Sequence, residues 1–293
     1  MPDSARLKFS PFTIIPLLAL TVSAHASNPE ERVEEPMPEK RPQELTIHGD
    51  TRVDEFYWLR DDERKDPEML AYLEQENAWF EQETAHTANL KETLYEEMTG
   101  RLDPDDSSVP YEKNGYWYYV RYEPGQEYAI YARKRGSLDA EEEIIIDGNR
   151  RAEGHEFYRL GNLEVTDDHR YAAIAEDTLS RRIFTLRIFD TQTGEFLPTE
   201  IRNASSSLAW SADGKYLFYL DKHPETLLAY RVMRHERGTD PANDVLVYEE
   251  KDNTFYNGVS RTRSGEYLAL YHGNTETTEV QLLRADDPLG DFR

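Results

Sequence analysis

The sequence contains no cysteine among its 293 residues. Disulfide bonds, zinc–thiolate sites and a cysteine nucleophile are therefore excluded. Several motifs of enzyme active sites are missing too. The sequence has no G-x-S-x-G run for a serine nucleophile, no H-E-x-x-H pair of metal ligands and no glycine-rich phosphate loop. We therefore predict no catalytic, cofactor-binding or metal-binding residue in this chain.

The serine, histidine and aspartate residues that are present do not suggest a site. Ser264 falls in a predicted hairpin turn and 205–207 opens a predicted strand, so neither is expected to supply a nucleophile. His155-Glu156 and His235-Glu236 are isolated pairs, which we interpret as loop or surface groups rather than metal ligands. The acidic run 103–106 lacks the spaced oxygens and central glycine of a calcium loop, so we interpret it as a solvated linker.

Basic residues are few. The chain has 34 Lys and Arg against 58 Asp and Glu, a formal net charge of −24. Such a chain is not expected to bind nucleic acid, because the phosphates would be repelled. The charge is consistent with attraction of cationic substrates. It is also typical of a solvated acidic surface, and charge alone favours this second interpretation.

Long hydrophobic runs are absent except near the N terminus. The apolar stretch 12–22 is shorter than the about 20 residues that span a bilayer. It follows Arg6 and Lys8 and precedes the A-x-A cleavage site 24–26. Residues 1–26 are therefore predicted to be a signal peptide, which implies a periplasmic or secreted chain with no membrane span after cleavage. A buried N-terminal strand is the alternative.

A strand–turn–strand unit recurs through most of the chain. Its clearest copy is 208–220, where Gly214 tolerates the positive φ of a tight turn. The returning strand is apolar on both faces, which indicates cover on both sides. We expect Trp210, Tyr216 and Phe218 to pack between neighbouring units. The aromatic anchors of the successive copies are Trp117, Tyr171, Tyr216 and Tyr267.

Further strands follow each anchor at regular spacing. Third strands are predicted at 129–132, 184–188, 230–233 and 280–283, and fourth strands at 143–146 and 245–248. Four antiparallel strands every about 40–50 residues are typical of a propeller blade. We therefore predict a mainly β fold, an incomplete β-propeller of about three and a half four-stranded blades over 106–293. A β-sandwich with unrelated hairpins is the alternative, which the regular spacing disfavours.

Two other segments precede the repeats. Residues 27–44 are rich in Glu and Pro and are predicted to be a flexible linker. Residues 45–105 are predicted to form a short α-helical arm. Its first helix should begin at Pro67 after the N-cap Asp66, and its second should run from about His86 to Thr99.

The arm also carries a resemblance to a known family. The run 48–62 (HGDTRVDEFYWLRDD) resembles the N-terminal signature of the prolyl oligopeptidase family, and 67–77 continues the match. The segments 230–235 (YRVMRH) and 247–252 (VYEEKD) are similar to its oligopeptidase B branch. The resemblance covers about residues 45–293. One departure is 177–182 (DTLSRR), where many relatives carry a Gly and a Glu after Asp-Thr; a role of that acidic position is therefore in doubt.

The resemblance implies a function for a complete two-domain enzyme of which this chain would be one part. Family members are serine peptidases in which a seven-bladed propeller caps an α/β-hydrolase domain and admits short peptides, and the oligopeptidase B branch cleaves after Arg or Lys. The Ser-His-Asp triad would then lie beyond Arg293, and this chain alone would be inactive. Its partners would be the hydrolase domain and short basic peptides. The aromatic run 56–59 would pack along the hydrolase domain, or alternatively onto the arm's own helices.

Other interpretations remain open from the sequence. The chain is alternatively a stand-alone propeller-type binding module that closes its ring by self-association, or one half of a split peptidase. Acidic groups in blade loops, such as Asp147 and Glu164, are candidates for drawing cationic peptides through a propeller channel.

Overall fold

The computed structural model describes residues 34–293, so the predicted signal peptide and the linker residues 27–33 lie outside the described part. The chain divides into two compact units between Leu102 and Asp103. No helix in the described range is long and apolar enough to cross a membrane.

The first unit begins with a β-hairpin that the sequence analysis did not predict. Strands β1 (Gln43–Ile47) and β2 (Asp50–Asp54) pair antiparallel. The two turn residues His48 and Gly49 both have positive φ, 55° and 81°, which is the backbone of a two-residue hairpin turn. The hairpin therefore takes up the end of the segment that was predicted to be a flexible linker.

The helices of this unit begin and end close to the predicted positions. A 3-10 turn (Tyr57–Leu59) precedes α1 (Pro67–Thr84). The Asp66 carboxylate accepts hydrogen bonds from the backbone N–H groups of Glu68 and Met69 at 2.8 and 3.1 Å, so the predicted N-cap is confirmed. A second 3-10 turn (Ala85–Thr87) replaces the expected start at His86, and α2 spans Ala88–Thr99.

The apolar faces of these helices are exposed. Phe80 of α1 is 60% exposed, and Leu94 and Met98 of α2 are 46% and 66% exposed. The amphipathic pattern is therefore present as predicted, but the described residues leave these apolar side chains uncovered.

The second unit consists of antiparallel sheets in the order of the chain. Blade 1 comprises β3 (Tyr111–Lys113), β4 (Tyr116–Arg121), β5 (Ile130–Arg135) and β6 (Glu142–Asp147), followed by a short helix α3 (Gly148–Ala152). A seven-stranded sheet follows, with β7 (Arg159–Val165), β8 (Tyr171–Asp177), β9 (Phe184–Asp190), β10 (Phe196–Trp210), β11 (Tyr216–Lys222), β12 (Ala229–Glu236) and β13 (Val245–Glu249). A 3-10 turn (Pro241–Asn243) lies between its last two strands. Blade 4 has the three strands β14 (Tyr256–Arg261), β15 (Tyr267–Gly273) and β16 (Thr278–Arg284).

The long strand β10 belongs to two blades. Its first part pairs with β9, for example Ile201 opposite Leu186, and its last part pairs with β11, for example Trp210 opposite Leu217. The register shifts between Ala204 and Leu208. We therefore assign β7–β9 and the first part of β10 to blade 2, and the rest of β10 with β11–β13 to blade 3. This sharing explains why no separate fourth strand was recognised in the second repeat.

Three apolar clusters fill the spaces between neighbouring blades. In β8, Ile174 packs against blade 1 and Ala173 against blade 3. In β11, Leu217 lies in the cluster with blade 2 and Phe218 in the cluster with blade 4. The predicted inter-blade packing of Trp210, Tyr216 and Phe218 is thus confirmed. The mainly β fold with an α-helical arm is also as predicted, and blade 4 has three strands.

We expect Gly161→Ala to destabilise the protein. Gly161 is the bulged residue of β7, and a Cβ there would lie 2.3 Å from a Phe184 ring carbon and 2.8 Å from the Ser206 Cβ. Such overpacking costs about 1–3 kcal/mol. Urea unfolding checks the value. The matched control is Gly258→Ala in β14, where the added Cβ meets nothing nearer than the Ser207 Oγ at 3.8 Å. Equal effects of both substitutions would contradict the packing argument.

Candidate functional site

The first strands of blades 2, 3 and 4 are joined at their inner edges. The Ser207 hydroxyl on β10 donates to the Val259 carbonyl at 2.7 Å and accepts from the Val259 N–H at 2.8 Å. The Trp210 Nε1–H donates to the Glu164 carbonyl at 2.9 Å. In a propeller such strands line the central channel. The inner edge of β7, β10 and β14 is therefore where a channel ligand would meet this chain.

The two acidic residues singled out in the sequence have different environments. Asp147 caps α3, accepting from the N–H groups of Asn149 and Arg150 at 3.0 and 3.4 Å. Glu164 lies on the inner strand β7 rather than in a loop, and its carboxyl has no hydrogen-bond partner among the described residues. Burial raises its pKa, while Lys113 and Arg261 oppose that shift. Glu164 is therefore the available acid of the pair.

A further acidic residue of blade 2, Glu176, is fully paired. Glu176, at the end of β8, accepts two hydrogen bonds from the Arg151 guanidinium at 2.7 Å each and one from the Tyr158 hydroxyl at 2.9 Å. Burial raises the pKa of Tyr158, with the Glu176 charge adding to the shift. These groups stabilise the end of blade 2 and leave no free acid there.

His235 is buried, so its interpretation as a surface group was wrong. It lies on β12 with 0% of its side chain exposed, and its Nδ1 is 2.7 Å from the Asp244 Oδ1. The Tyr219 hydroxyl donates to the other Asp244 oxygen at 2.8 Å. The second ring nitrogen of His235 is buried without a hydrogen-bond partner in the described structure. A histidine–carboxylate pair is present, but among residues 34–293 no serine hydroxyl hydrogen-bonds to His235 to complete a triad.

His272 forms a comparable buried cluster between blades 3 and 4. Its Nδ1 is 2.7 Å from the Asn257 Oδ1 and 3.7 Å from a Glu250 oxygen. Its ring lies 4.4 Å from that of Tyr248. Its Nε2 is buried, again without a partner in the described chain. Burial lowers the pKa of His272, with Glu250 and Glu279 opposing the shift.

The remaining sequence candidates have structural roles or are exposed. The Ser264 hydroxyl accepts from the Glu266 N–H at 3.3 Å within a turn, and Ser205 accepts from the Ser207 N–H at 3.1 Å. His155 and Glu156 are exposed. Residues 34–293 contain no group of three His, Asp or Glu side chains that could hold a metal ion.

The aromatic run of the arm packs, at least in part, on the arm itself. The Trp58 ring meets Tyr72 of α1 edge-on at 6.2 Å, and its Nε1–H donates to the Glu39 carbonyl at 2.8 Å. The Arg41 guanidinium lies 4.5 Å from the same ring. Trp58 is therefore engaged within the first unit.

Comparison with known proteins identifies relatives of most of the chain. The family model "Prolyl oligopeptidase, N-terminal beta-propeller domain" matches residues 35–293. Dipeptidyl aminopeptidase BI of Pseudoxanthomonas mexicana is 41% identical over 256 residues, covering 82% of this chain and 35% of the relative. Protease 2 of Moraxella lacunata is 32% identical over 263 residues, covering 87% of this chain and 37% of the relative.

Solved structures agree with these sequence matches. Oligopeptidase B from Leishmania major superimposes with a TM-score of 0.79 at 28% identity, over 86% of this chain and 38% of that one. Oligopeptidase B from Trypanosoma brucei with covalently bound antipain superimposes with a TM-score of 0.78 at 27% identity, over 88% of this chain and 39% of that one. The chain therefore spans little more than a third of the length of these relatives.

Because the pKa of His272 is lowered, the protein should lose stability as pH falls below about 6.5. In that range the unfolded chain takes up a proton that the folded chain excludes. We expect wild type to lose up to about 1 kcal/mol more than His272→Gln between about pH 7.5 and 5.5. Urea unfolding at the two pH values measures this difference. Glutamine retains a donor for Asn257, and parallel pH profiles for both proteins would refute the assignment.

Proposed function

Because this chain belongs to the prolyl oligopeptidase family through its N-terminal β-propeller domain, we propose that it is the propeller portion of an oligopeptidase B-like serine endopeptidase. The observation that carries the proposal is the family match over residues 35–293, reinforced by the two oligopeptidase B structures. The complete enzyme would cleave short peptides after Arg or Lys by acyl transfer to a serine activated by histidine and aspartate. Those three residues would belong to a hydrolase domain outside this chain.

The exposed apolar surfaces support a larger assembly. Tyr271 and Val280 of blade 4 are 47% and 46% exposed, although Leu268 and Leu270 of the same blade are fully buried against blade 3. One face of blade 4 is thus covered and the other is open. A neighbouring blade would cover this open face in the way that the three apolar clusters cover the faces between the other blades. The uncovered faces of α1 and α2 similarly suit a hydrolase domain.

The role of this chain in such an enzyme would be to admit and orient substrate. Glu164 places an unpaired acid at the inner edge of β7, where a cationic peptide would pass. The net charge of −24 would attract such peptides over longer distances. We further propose a periplasmic or secreted location, on the basis of the predicted signal peptide.

A dipeptidyl aminopeptidase is the second candidate. Dipeptidyl aminopeptidase BI is 41% identical to this chain, whereas Protease 2 is 32% identical. An enzyme that removes dipeptides must recognise a free α-amino group, which an endopeptidase does not need. The protein extended by its downstream coding sequence, assayed on an Arg-ended peptide amide with a free or an acetylated N terminus, separates the two. Turnover of the acetylated peptide favours the endopeptidase, and turnover of the free form alone favours the aminopeptidase.

We expect the 293-residue chain to show no turnover of Arg- or Lys-ended peptide amides, because its sequence lacks the G-x-S-x-G motif of a serine nucleophile. The assay should be repeated with a serine-hydrolase inhibitor. Activity that survives the inhibitor would overturn the proposal. The DNA beyond codon 293 should encode a G-x-S-x-G motif, either in frame or in a separate reading frame if the peptidase is split.

Light scattering tests the remaining alternative, a stand-alone binding module. A monodisperse homodimer of the 293-residue chain would favour a ring closed by self-association. Aggregation would favour the exposed blade face of an enzyme portion.

A further inference from the structure

A basic pocket lies at the end of blades 2 and 3 where β7 begins. It is lined by Arg159, Arg182, Phe184, Ser205, Ser206 and Lys222, and its volume is about 470 Å³. The volume suits a small ligand or one end of a peptide. Three of the six lining residues are cationic and none is acidic, in a chain whose net charge is −24. The local charge is thus opposite to that of the whole protein.

The backbone that carries Arg182 is held rigidly. Arg182 has a φ of 55°, which is unusual for a residue with a side chain. Its N–H donates to the Asp177 carboxylate at 2.7 Å, and its carbonyl accepts from the Lys222 ammonium at 2.7 Å. Asp177 also accepts from the Leu179 N–H at 2.9 Å. Both Asp177 oxygens are therefore used by the loop behind the pocket.

The two arginine side chains of the pocket are unpaired. Neither the Arg159 nor the Arg182 guanidinium has a hydrogen-bond or ion-pair partner among residues 34–293, and both residues are exposed. By contrast, Arg151, a few residues before β7, is paired with Glu176. The Lys222 ammonium donates its hydrogen bond to the Arg182 carbonyl, and the Lys222 side chain is buried. The pocket therefore presents two free guanidinium groups, Arg159 from β7 and Arg182 from the loop before β9, beside the Ser205 and Ser206 hydroxyls.

We propose that this basic pocket binds the carboxylate end of a peptide. A guanidinium group matches the planar, two-oxygen geometry of a carboxylate, and hydroxyl groups can donate to the same oxygens. The pocket opens at the beginning of the inner strand β7 and beside the inner part of β10, where a peptide in the channel would end. The inference rests on the proposed peptidase function, because that function brings short peptides to the propeller.

Calorimetric titration of the 293-residue chain tests the proposal. The probes are acetyl-Ala-Ala with a free C-terminal carboxylate, the same peptide with a C-terminal amide, and inorganic phosphate. We expect the free acid to bind at least about tenfold more tightly than the amide, since each charge-assisted pair contributes substantially. Arg159→Gln and Arg182→Gln should each weaken the free acid by about tenfold. The variant Arg182→Lys retains the charge, so its affinity for the free acid should lie between the affinities of wild type and Arg182→Gln.

Arg263→Gln is the matched control. Arg263 is exposed in the turn between β14 and β15, at the opposite end of the blades, and has no described partner. The substitution Arg263→Gln removes the same charge as Arg182→Gln, but far from the pocket. The affinity of this variant for the free acid should therefore equal that of wild type. The proposal would be overturned if the acid and the amide bound with equal affinity. It would also be overturned if Arg263→Gln weakened binding of the free acid as much as Arg159→Gln and Arg182→Gln do. Phosphate binding that depends on both arginines while the peptide does not bind would overturn the peptide assignment and leave a site for free anions.

The proposal and the peptidase function fail in different ways. The titrations report only on the pocket of this chain, whereas peptidase activity is measured on the extended protein with a serine-hydrolase inhibitor. If the extended protein is an active peptidase but the pocket does not bind a carboxylate, the pocket proposal is wrong and the proposed peptidase function stands. If the pocket binds a carboxylate but the extended protein is inactive, the proposed peptidase function is wrong and carboxylate binding by the pocket stands.

Discussion

The packing of the central strands of blades 2 and 3 between two neighbouring blades is the constraint on which the second unit depends. Ile174 is fully buried in the cluster between blades 1 and 2, and Phe218 is fully buried in the cluster between blades 3 and 4. Burial of a side chain of this size is favourable by about 1.5–3 kcal/mol. Because each blade is stabilised mainly through its neighbours, the unit resembles a repeat array with nearest-neighbour energetics. The open face of blade 4 is the direct consequence of this arrangement.

The same packing decides which polar groups are available for function. A charge between blades must be paired, because an isolated buried charge is costly. Glu176 satisfies this requirement through Arg151 of α3 and Tyr158, and Asp244 does so through Tyr219 of β11 and His235 of β12. Glu164 lies instead on the inner strand β7, and Arg159 and Arg182 line the basic pocket at the end of blades 2 and 3. Their lack of partners is therefore what distinguishes candidate ligand-binding groups from groups that stabilise the fold.

Much of the fold could be predicted because its signals are local. The aromatic anchors, turn glycines such as Gly214 and the apolar residues on both faces of β11 all lie within one repeat. The N-cap at Asp66 is equally local. What could not be predicted depends on distant pairs. The Tyr118 hydroxyl reaches the His169 ring at 2.7 Å across 51 residues of chain, and no spacing rule marks such a contact. The basic pocket likewise joins residues of β7, β9, β10 and β11 with Arg182 of a loop, so its three cations are scattered in sequence.

The positions of Glu164 and Arg159 on one strand also bear on substrate length. The two residues are separated along β7 by five positions, including the bulge at Gly161, which corresponds to about 15 Å of extended chain. An extended peptide of about four or five residues has the same length. If the channel acid takes the cationic end of a peptide and the basic pocket its carboxylate, both would be engaged together only near this length. Longer peptides would have to leave one group unpaired, so the two charges would select by length and orientation as well as by sign.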